Sequence, residues 1–146
     1  MIKRDYKRIL VPVDGSKQSK KAVEKACYLA QSTGLELVAL YVIDTPDLPS
    51  EFEHQDEITY QQIYELLKKE GNMYFDDIEK KANEYHVPLT KKILDGHPAD
   101  EIIKEAKKND LIIMGYKGKT GLDHLLMGST TEKVARHTES DIMVIR

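Results

Sequence analysis

Glycines and hydroxyl residues follow an apolar run in the last third of the chain, in an order suited to binding an anion. The run 111–114 ends at Gly115, Gly118 follows after two residues, and Gly128 follows after nine more. Directly behind them come three hydroxyl residues that begin a segment of helical spacing: Ser129, Thr130 and Thr131. Glycines bring bare backbone N–H groups close to a ligand, and the free N–H groups at a helix start attract anions. The pattern favours a phosphate site, although glycines after a strand also serve in plain turns.

Charged residues near these segments could assist in binding a phosphate. Lys117 lies between the first two glycines and could supply a positive charge, or it could be an ordinary solvated loop lysine. Asp14 ends an apolar run near the start of the chain, and its carboxylate could bind a Mg²⁺ ion that also contacts phosphate. His54 is favoured as an exposed loop residue rather than a metal ligand. His124 is likewise favoured as an exposed loop residue rather than a general base.

The sequence lacks the familiar motifs for fast phosphoryl transfer and for ester hydrolysis. It has no GxxxxGK[ST] and thus no Walker lysine, and the residues 14–16 do not match the SGGxDS loop of ATP pyrophosphatases. Ser129 has no histidine at the spacing of a nucleophile elbow. Any hydrolysis of a bound phosphate compound should therefore be slow or dependent on a partner.

Composition and charge narrow the class of protein. The 146 residues include 22 basic and 25 acidic side chains, a net charge of −3, which gives no electrostatic attraction for nucleic acid or an anionic membrane. The apolar runs are too short to span a bilayer, and the first residues do not resemble a signal peptide. We therefore expect one domain, residues 1–146, in the cytoplasm. The single cysteine, Cys27, is expected to be a buried small hydrophobe rather than a reactive thiol.

Apolar periodicity divides the chain into alternating strands and helices. Strands are predicted at residues 8–14, 35–43, 87–94, 111–114 and 141–146. The first helix is capped by Ser16 or Ser19 and ends at Gly34, the second covers 58–86, the third begins at Pro98 behind the capping position of His97, and the fourth covers 130–138. The second helix is predicted to carry a buried apolar stripe that includes Leu66, and Gly71 and Asn72 could kink or divide this helix. Residues 44–57 are predicted to form a surface loop.

This alternation predicts an α/β fold, an open parallel five-stranded sheet of Rossmann-like type with helices on both faces. In such a sheet a ligand binds beyond the carboxyl ends of the strands, where the strand order reverses. The first and fourth strands should be neighbours at that point. Pro12, Val13 and Asp14 should then line the same crevice as Met114 and Gly115, although about a hundred residues separate them.

The spacing Gly-x2-Gly-x9-Gly-Ser resembles the nucleotide-binding signature of the universal stress protein family. Other segments resemble that family in the same order along the whole chain: ILVPVDGS at 9–16, LYVID at 40–44, DGHPADEII at 95–103 and IMVIR at 142–146. Members often have a proline before the last strand, where this chain has Ser140 and Asp141, which affects only the expected shape of that turn. The resemblance implies the strand order 3-2-1-4-5 and membership of the branch that binds ATP.

The resemblance also implies a role for each matching residue. Asp14 would lie near the ribose or adenine, the backbone of Val42 would bind the adenine edge, and Met114 would pack near the base and sugar. The remaining residues would follow the ribose and phosphates: Gly115, Lys117 and Gly118, and then Gly128, Ser129, Thr130 and Thr131, whose N–H and hydroxyl groups would hold phosphate oxygens. ATP or AMP is the expected ligand, with Mg²⁺ bound through Asp14 and phosphate.

Three functions are compatible with these residues. The favoured function is a stress-response regulatory protein that binds ATP or AMP and acts as a nucleotide-dependent homodimer recognised by a protein partner. The alternatives are a weak or partner-dependent ATPase and a nucleotide-free dimeric scaffold. The last strand, 141–146, is an apolar sheet edge that is expected to pair with its own copy, unless the fourth helix hides it within a monomer.

Overall fold

The computed structural model describes residues 5–44, 57–117 and 126–146, with side chains from residue 60 onward in the second range. The sequence predictions for Gly118, for His54 and His124, and for most of the 44–57 loop lie outside these ranges.

Five parallel strands form one sheet, and four described helices connect them. The strands are β1 Arg8–Pro12, β2 Glu36–Ile43, β3 Leu89–Asp95, β4 Asp110–Gly115 and β5 Asp141–Ile145. The helices are α1 Lys17–Thr33, α2 Glu57–Glu84, α3 Pro98–Glu105 and α4 Ser129–His137. The strand order is β3-β2-β1-β4-β5 and every described pairing is parallel. The predicted fold class and strand order are confirmed.

Alternate residues of the central strands point to opposite faces of the sheet, and helices cover both. On one face, Ile9 and Val11 belong to a buried cluster with residues of α1 and α2. On the other face, Leu10 packs in a second buried cluster with Ile102 of α3 and Val134 of α4. These strands are therefore buried on both sides, as their continuous apolar sequences predicted. Among the described residues, no helix is both long enough and apolar enough to cross a lipid bilayer.

The ends of the predicted elements are largely where local chemistry places them. Ser16 caps α1 by accepting the N–H of Ser19 at 3.1 Å, and Gly34 ends the helix with φ +76°. Pro12 is the last residue of β1, so its missing N–H costs no bond in the middle of the sheet. His97 occupies the capping position before Pro98 of α3, as predicted, but its side chain makes no cap hydrogen bond.

The structure limits one prediction about α2 and contradicts another. The helix is not divided at Gly71 and Asn72, the two residues at which the sequence allowed a kink or a division. Glycine is required there for packing, because a Cβ at Gly71 would lie 2.3 Å from the ring of Tyr41. Leu66, which was assigned to the buried stripe, is 66% exposed, whereas Phe75, which was not singled out, is 2% exposed. Helical periodicity gives the direction of a buried stripe but not its width, because the width depends on the surface that packs against the helix.

Cys27 is fully buried in the cluster under α1, as predicted. Burial raises the pKa of its thiol to about 11, the effect being opposed in part by the charge of Lys81. The thiolate is the reactive form of cysteine, so this side chain is unreactive in the folded protein.

A buried ion pair joins the amino ends of β1 and β4. Arg8 donates to both carboxylate oxygens of Asp110 at 2.9 Å, and Asp110 is only 2% exposed. The second Asp110 oxygen also accepts the N–H of Lys107 at 2.7 Å, and Arg8 donates to the carbonyl of Glu105 at 3.0 Å. The hydrogen bond with Asp110 raises the pKa of Arg8. This network fixes β4 beside β1, the pairing that brings their far ends together.

Replacing Asp110 by alanine should lower the free energy of unfolding by about 3 kcal/mol, because it leaves the largely buried Arg8 guanidinium with only the carboxylate of Glu105, 3.5 Å away. Urea denaturation measures the loss. The matched control is Lys91→Ala, which removes an exposed ion pair with Glu79 and should cost about 1 kcal/mol or less. Equal losses in the two variants would show that the Arg8 pair does not anchor the sheet.

Candidate functional site

A crevice lies beyond the carboxyl ends of β1, β2 and β4, at the point where the chain leaves neighbouring strands in opposite directions. From β1 the chain enters α1 on one face of the sheet, and from β4 it leads to α4 on the other. The crevice wall contains nine of the site residues that were predicted from the sequence: Pro12, Val13, Asp14, Val42, Met114, Gly115, Lys117, Thr130 and Thr131. The predicted convergence of the tips of β1 and β4 therefore occurs in the structure.

Of the other predicted site residues, Gly118 lies outside the described part of the chain, and Gly128 and Ser129 adjoin the wall at the start of α4. The wall also contains residues that the sequence reading did not assign to it: Ser16, Ser19, Leu40, Tyr41, Pro98 and Ile102. Ser16 and Pro98 follow directly from β1 and β3, so the rule that ligands bind beyond strand ends could have included them. Nothing in the local sequence distinguishes Leu40 or Tyr41 from the other apolar residues of β2.

Hydrogen bonds among three residues fix the turn between β1 and α1. The N–H of Ser16 donates to Oδ1 of Asp14 at 2.9 Å, and the N–H of Asp14 donates to Oγ of Ser19 at 3.2 Å. Ser19 in turn donates its N–H to Oγ of Ser16 at 3.1 Å. The turn holds the carboxylate of Asp14 at the crevice wall.

The backbone of Val42 faces the crevice because β2 continues beyond the end of β1. The N–H of Val13 donates to the carbonyl of Leu40 at 2.8 Å, so the backbone groups of Leu40 point toward β1. Backbone groups of alternate residues in a parallel strand point to the same neighbour. Those of Val42 therefore point to the same side, past the last residue of β1, where a planar ligand with donor and acceptor groups could pair with them.

Among the residues that the structure describes, no side chain caps the backbone N–H groups at the start of α4. Gly128 is the N-cap residue and has no side chain that could accept from the first turn. Its own N–H donates to the carbonyl of Tyr116 at 2.8 Å, and its carbonyl accepts from Glu132 at 2.9 Å, which places the helix start firmly beside β4. The N–H groups of Ser129, Thr130 and Thr131 lie in the first turn, where an α-helix has no carbonyl acceptor of its own for them. They can bind an anion in place of the missing cap.

Two of the predicted phosphate-binding residues have structural contacts as well. A Cβ at Gly115 would lie 2.8 Å from the carbonyl carbon of Gln18, so glycine here lets α1 approach the end of β4. Thr131 is 4% exposed and donates its hydroxyl proton to the carbonyl of Gly115 at 2.8 Å. In this geometry Thr131 can offer a ligand its backbone N–H, and its hydroxyl proton is already used.

Lys117 is 9% exposed and lies on the crevice wall. Its N–H donates to Oε1 of Gln18 at 2.5 Å, which ties the segment after β4 to the first turn of α1. The alternative of a solvated loop lysine is therefore wrong. An ammonium group on the wall of a crevice attracts anions more strongly than one in open water.

Comparison with known proteins places this arrangement in a family. The model of the universal stress protein family matches residues 5–146. Universal stress protein MJ0531 of Methanocaldococcus jannaschii is 38% identical, with 97% of this chain and 82% of that protein covered. Protein MJ0577 of the same organism, whose structure is known, has 29% sequence identity with this chain. The superposition covers 97% of this chain and 96% of that one, with a TM-score of 0.83. A universal stress protein in complex with cAMP is 22% identical, covers 97% and 98% of the two chains, and shares the fold with a TM-score of 0.65.

Replacing Thr131 by valine should lower the free energy of unfolding by about 1–3 kcal/mol, because it removes the buried donor to the Gly115 carbonyl while keeping the shape of the side chain. Thr131→Ser is the matched control, since it keeps the hydroxyl, and its loss should be the smaller of the two. Chemical denaturation compares them. A valine variant as stable as the serine variant would mean that the hydroxyl has no structural role and is available to a ligand.

Proposed function

Since this chain belongs to the universal stress protein family, we propose that it is a stress-response regulatory protein that binds ATP or AMP in the crevice between β1 and β4. The bound nucleotide changes the state of a homodimer that a protein partner recognises. This proposal is supported by the start of α4, where no described side chain caps the first-turn N–H groups, and by the adjoining crevice, whose wall includes Lys117 and Asp14.

The phosphates fit the polar end of the crevice. The first-turn N–H groups of α4 supply neutral donors, the helix dipole favours negative charge there, and Lys117 supplies a positive charge. The glycine pattern that includes Gly115, Gly118 and Gly128 leaves room for phosphate oxygens to approach the backbone.

The base and sugar fit the apolar end. Val13, Met114 and Ile102 offer apolar surface to a flat aromatic base. The backbone of Val42 can pair with the polar edge of adenine, and Asp14 can accept from ribose hydroxyls. The relative in complex with cAMP binds an adenine nucleotide, which is the same ligand class.

We infer that magnesium would bind at this site together with a nucleotide. Among the residues that the structure describes, no group of three or more His, Cys, Asp or Glu side chains could hold a metal ion. Mg²⁺ is commonly held by one or two carboxylates and by the phosphates of a substrate. Asp14 would be the protein ligand, and the ion would neutralise phosphate charge when ATP is bound.

The site supports binding better than hydrolysis. Fast phosphoryl transfer needs a positioned nucleophile in addition to charge neutralisation. The crevice wall offers Asp14 as its carboxylate, and one of its oxygens already accepts the N–H of Ser16. A slow ATPase remains the alternative function if phosphate release is measurable, and a nucleotide-free scaffold is the alternative if no nucleotide binds.

Tyr116, the residue between Gly115 and Lys117, connects the proposed phosphate site to β5, the strand that would form the homodimer interface. Its N–H donates to the carbonyl of Ile145 in β5 at 2.7 Å, and its carbonyl accepts from Gly128 at the start of α4. The guanidinium of Arg146 lies 5.0 Å from the centre of its ring. The segment that would hold phosphates is thus bonded directly to the edge strand.

The edge strand supports the homodimer part of the proposal. The side chains of Asp141–Ile145 are all partly exposed, and β5 has β4 as its neighbour on one side within the described sheet. Pairing of residues 141–146 with a second copy would cover this apolar edge.

Calorimetric titration with ATP, ADP and AMP tests the proposal, and heat of binding is expected for at least one of them. Lys117→Met should weaken ATP binding by about tenfold, the effect of losing one charged hydrogen-bonding group, and should leave adenosine binding nearly unchanged because adenosine has no phosphate. Lys91→Met, on the exposed face of β3, is the control and should bind ATP like the unaltered protein. Absence of heat at millimolar concentrations of all three nucleotides would contradict nucleotide binding and favour the scaffold.

A further inference from the structure

The turn that carries Asp14 separates the crevice from a second cleft between α1 and α2. This second cleft has a volume of about 200 Å³, and Gly15 and Tyr74 lie on its wall. Val13 and Ser19 lie on the walls of both cavities. The turn is therefore a thin partition, with the crevice in front of it and α2 behind it.

Tyr74 of α2 packs directly on the back of this turn. Gly15 has φ +83°, in the left-handed region, and a Cβ placed there would lie 2.3 Å from the Tyr74 ring. The ring thus occupies the space that any other residue at position 15 would need. The Tyr74 hydroxyl donates to the carboxylate of Glu70, one helical turn earlier, which holds the ring on the same helix.

A second contact between α2 and the crevice runs through Tyr41. This residue lies on the crevice wall, and its ring meets the ring of Tyr74 edge to face, with centroids 5.8 Å apart and planes at 72°. The Tyr41 ring also lies against the backbone of α2 at Gly71, where a Cβ would be 2.3 Å from it. The rings of Tyr41 and Tyr74 therefore connect α2 to the crevice directly, through their contacts with Gly71 and Gly15.

We propose that Tyr74 is a positioning residue for nucleotide binding and that α2 responds to occupancy of the crevice through it, an inference that rests on the proposed function. The hydrogen bonds of Asp14, Ser16 and Ser19 hold the turn from the front. The Tyr74 ring holds it from behind, so that the carboxylate of Asp14 stays at the wall. Because coupling between two sites is reciprocal, a ligand that fixes the turn also fixes the segment of α2 around Tyr74.

Substitution of Tyr74 tests the first half of the proposal. Tyr74→Ala should raise the Kd for ATP at least about fivefold, the lower end of typical coupling between sites. Tyr74→Phe keeps the ring on Gly15, loses only the bond to Glu70, and should restore most of the affinity. Phe75→Leu is the control, because Phe75 is buried on the same helix and should affect stability without changing the Kd. Calorimetry is done on protein whose circular dichroism shows that it is folded.

Hydrogen exchange on the unaltered protein tests the second half and needs no variant. Saturating ATP should slow exchange of the α2 amides at residues 70–78, in addition to those at the crevice. Protection confined to the crevice, or an unchanged Kd in Tyr74→Ala while the unaltered protein binds ATP, would overturn this inference alone. Failure of the unaltered protein to bind any adenine nucleotide would overturn the proposed function and this inference with it.

Discussion

The parallel pairing of β1 with β4 is the constraint on which the candidate site depends. These strands are distant in sequence, and their helices cover opposite faces of the sheet, so neither helix closes the gap beyond the strand ends. The buried pair of Arg8 and Asp110 holds the opposite ends of the same two strands together. The crevice is therefore a consequence of topology, and we expect the ion pair at the amino ends of β1 and β4 to stabilise this pairing of strands.

Glycines at and near the candidate site allow close packing between neighbouring elements. Gly115 admits the backbone of α1, Gly15 admits the ring of Tyr74, and Gly71 admits the ring of Tyr41. At each of these contacts an element that carries crevice residues packs closely on another element, because the glycine has no side chain to hold them apart. Since packed interiors transmit small displacements, such contacts would suit the proposed function, in which a bound nucleotide changes a more distant surface.

The strand order and most of the crevice wall could be predicted from the sequence because they follow from alternation and from strand ends. Residues such as Val13 and Met114 converge once the order of the strands is known, whatever the details of packing. The packing of Tyr74 on Gly15 could not be predicted, because the spacing of a tyrosine on an amphipathic helix shows only that it faces inward. Likewise, the sequence could not show that the Thr131 hydroxyl bonds to Gly115, since that contact depends on how closely α4 approaches β4.

In the proposed complex, the first turn of α4 binds the phosphates while the backbone of Val42 pairs with the base. Backbone amide NMR during titration with ATP tests it most directly, because each amide reports its own surroundings. We predict the largest shifts at Ser129 and Thr130, with a separate shift at Val42 that adenosine alone also produces. If other amides saturate while those of the first turn of α4 do not shift, this mode of binding is wrong.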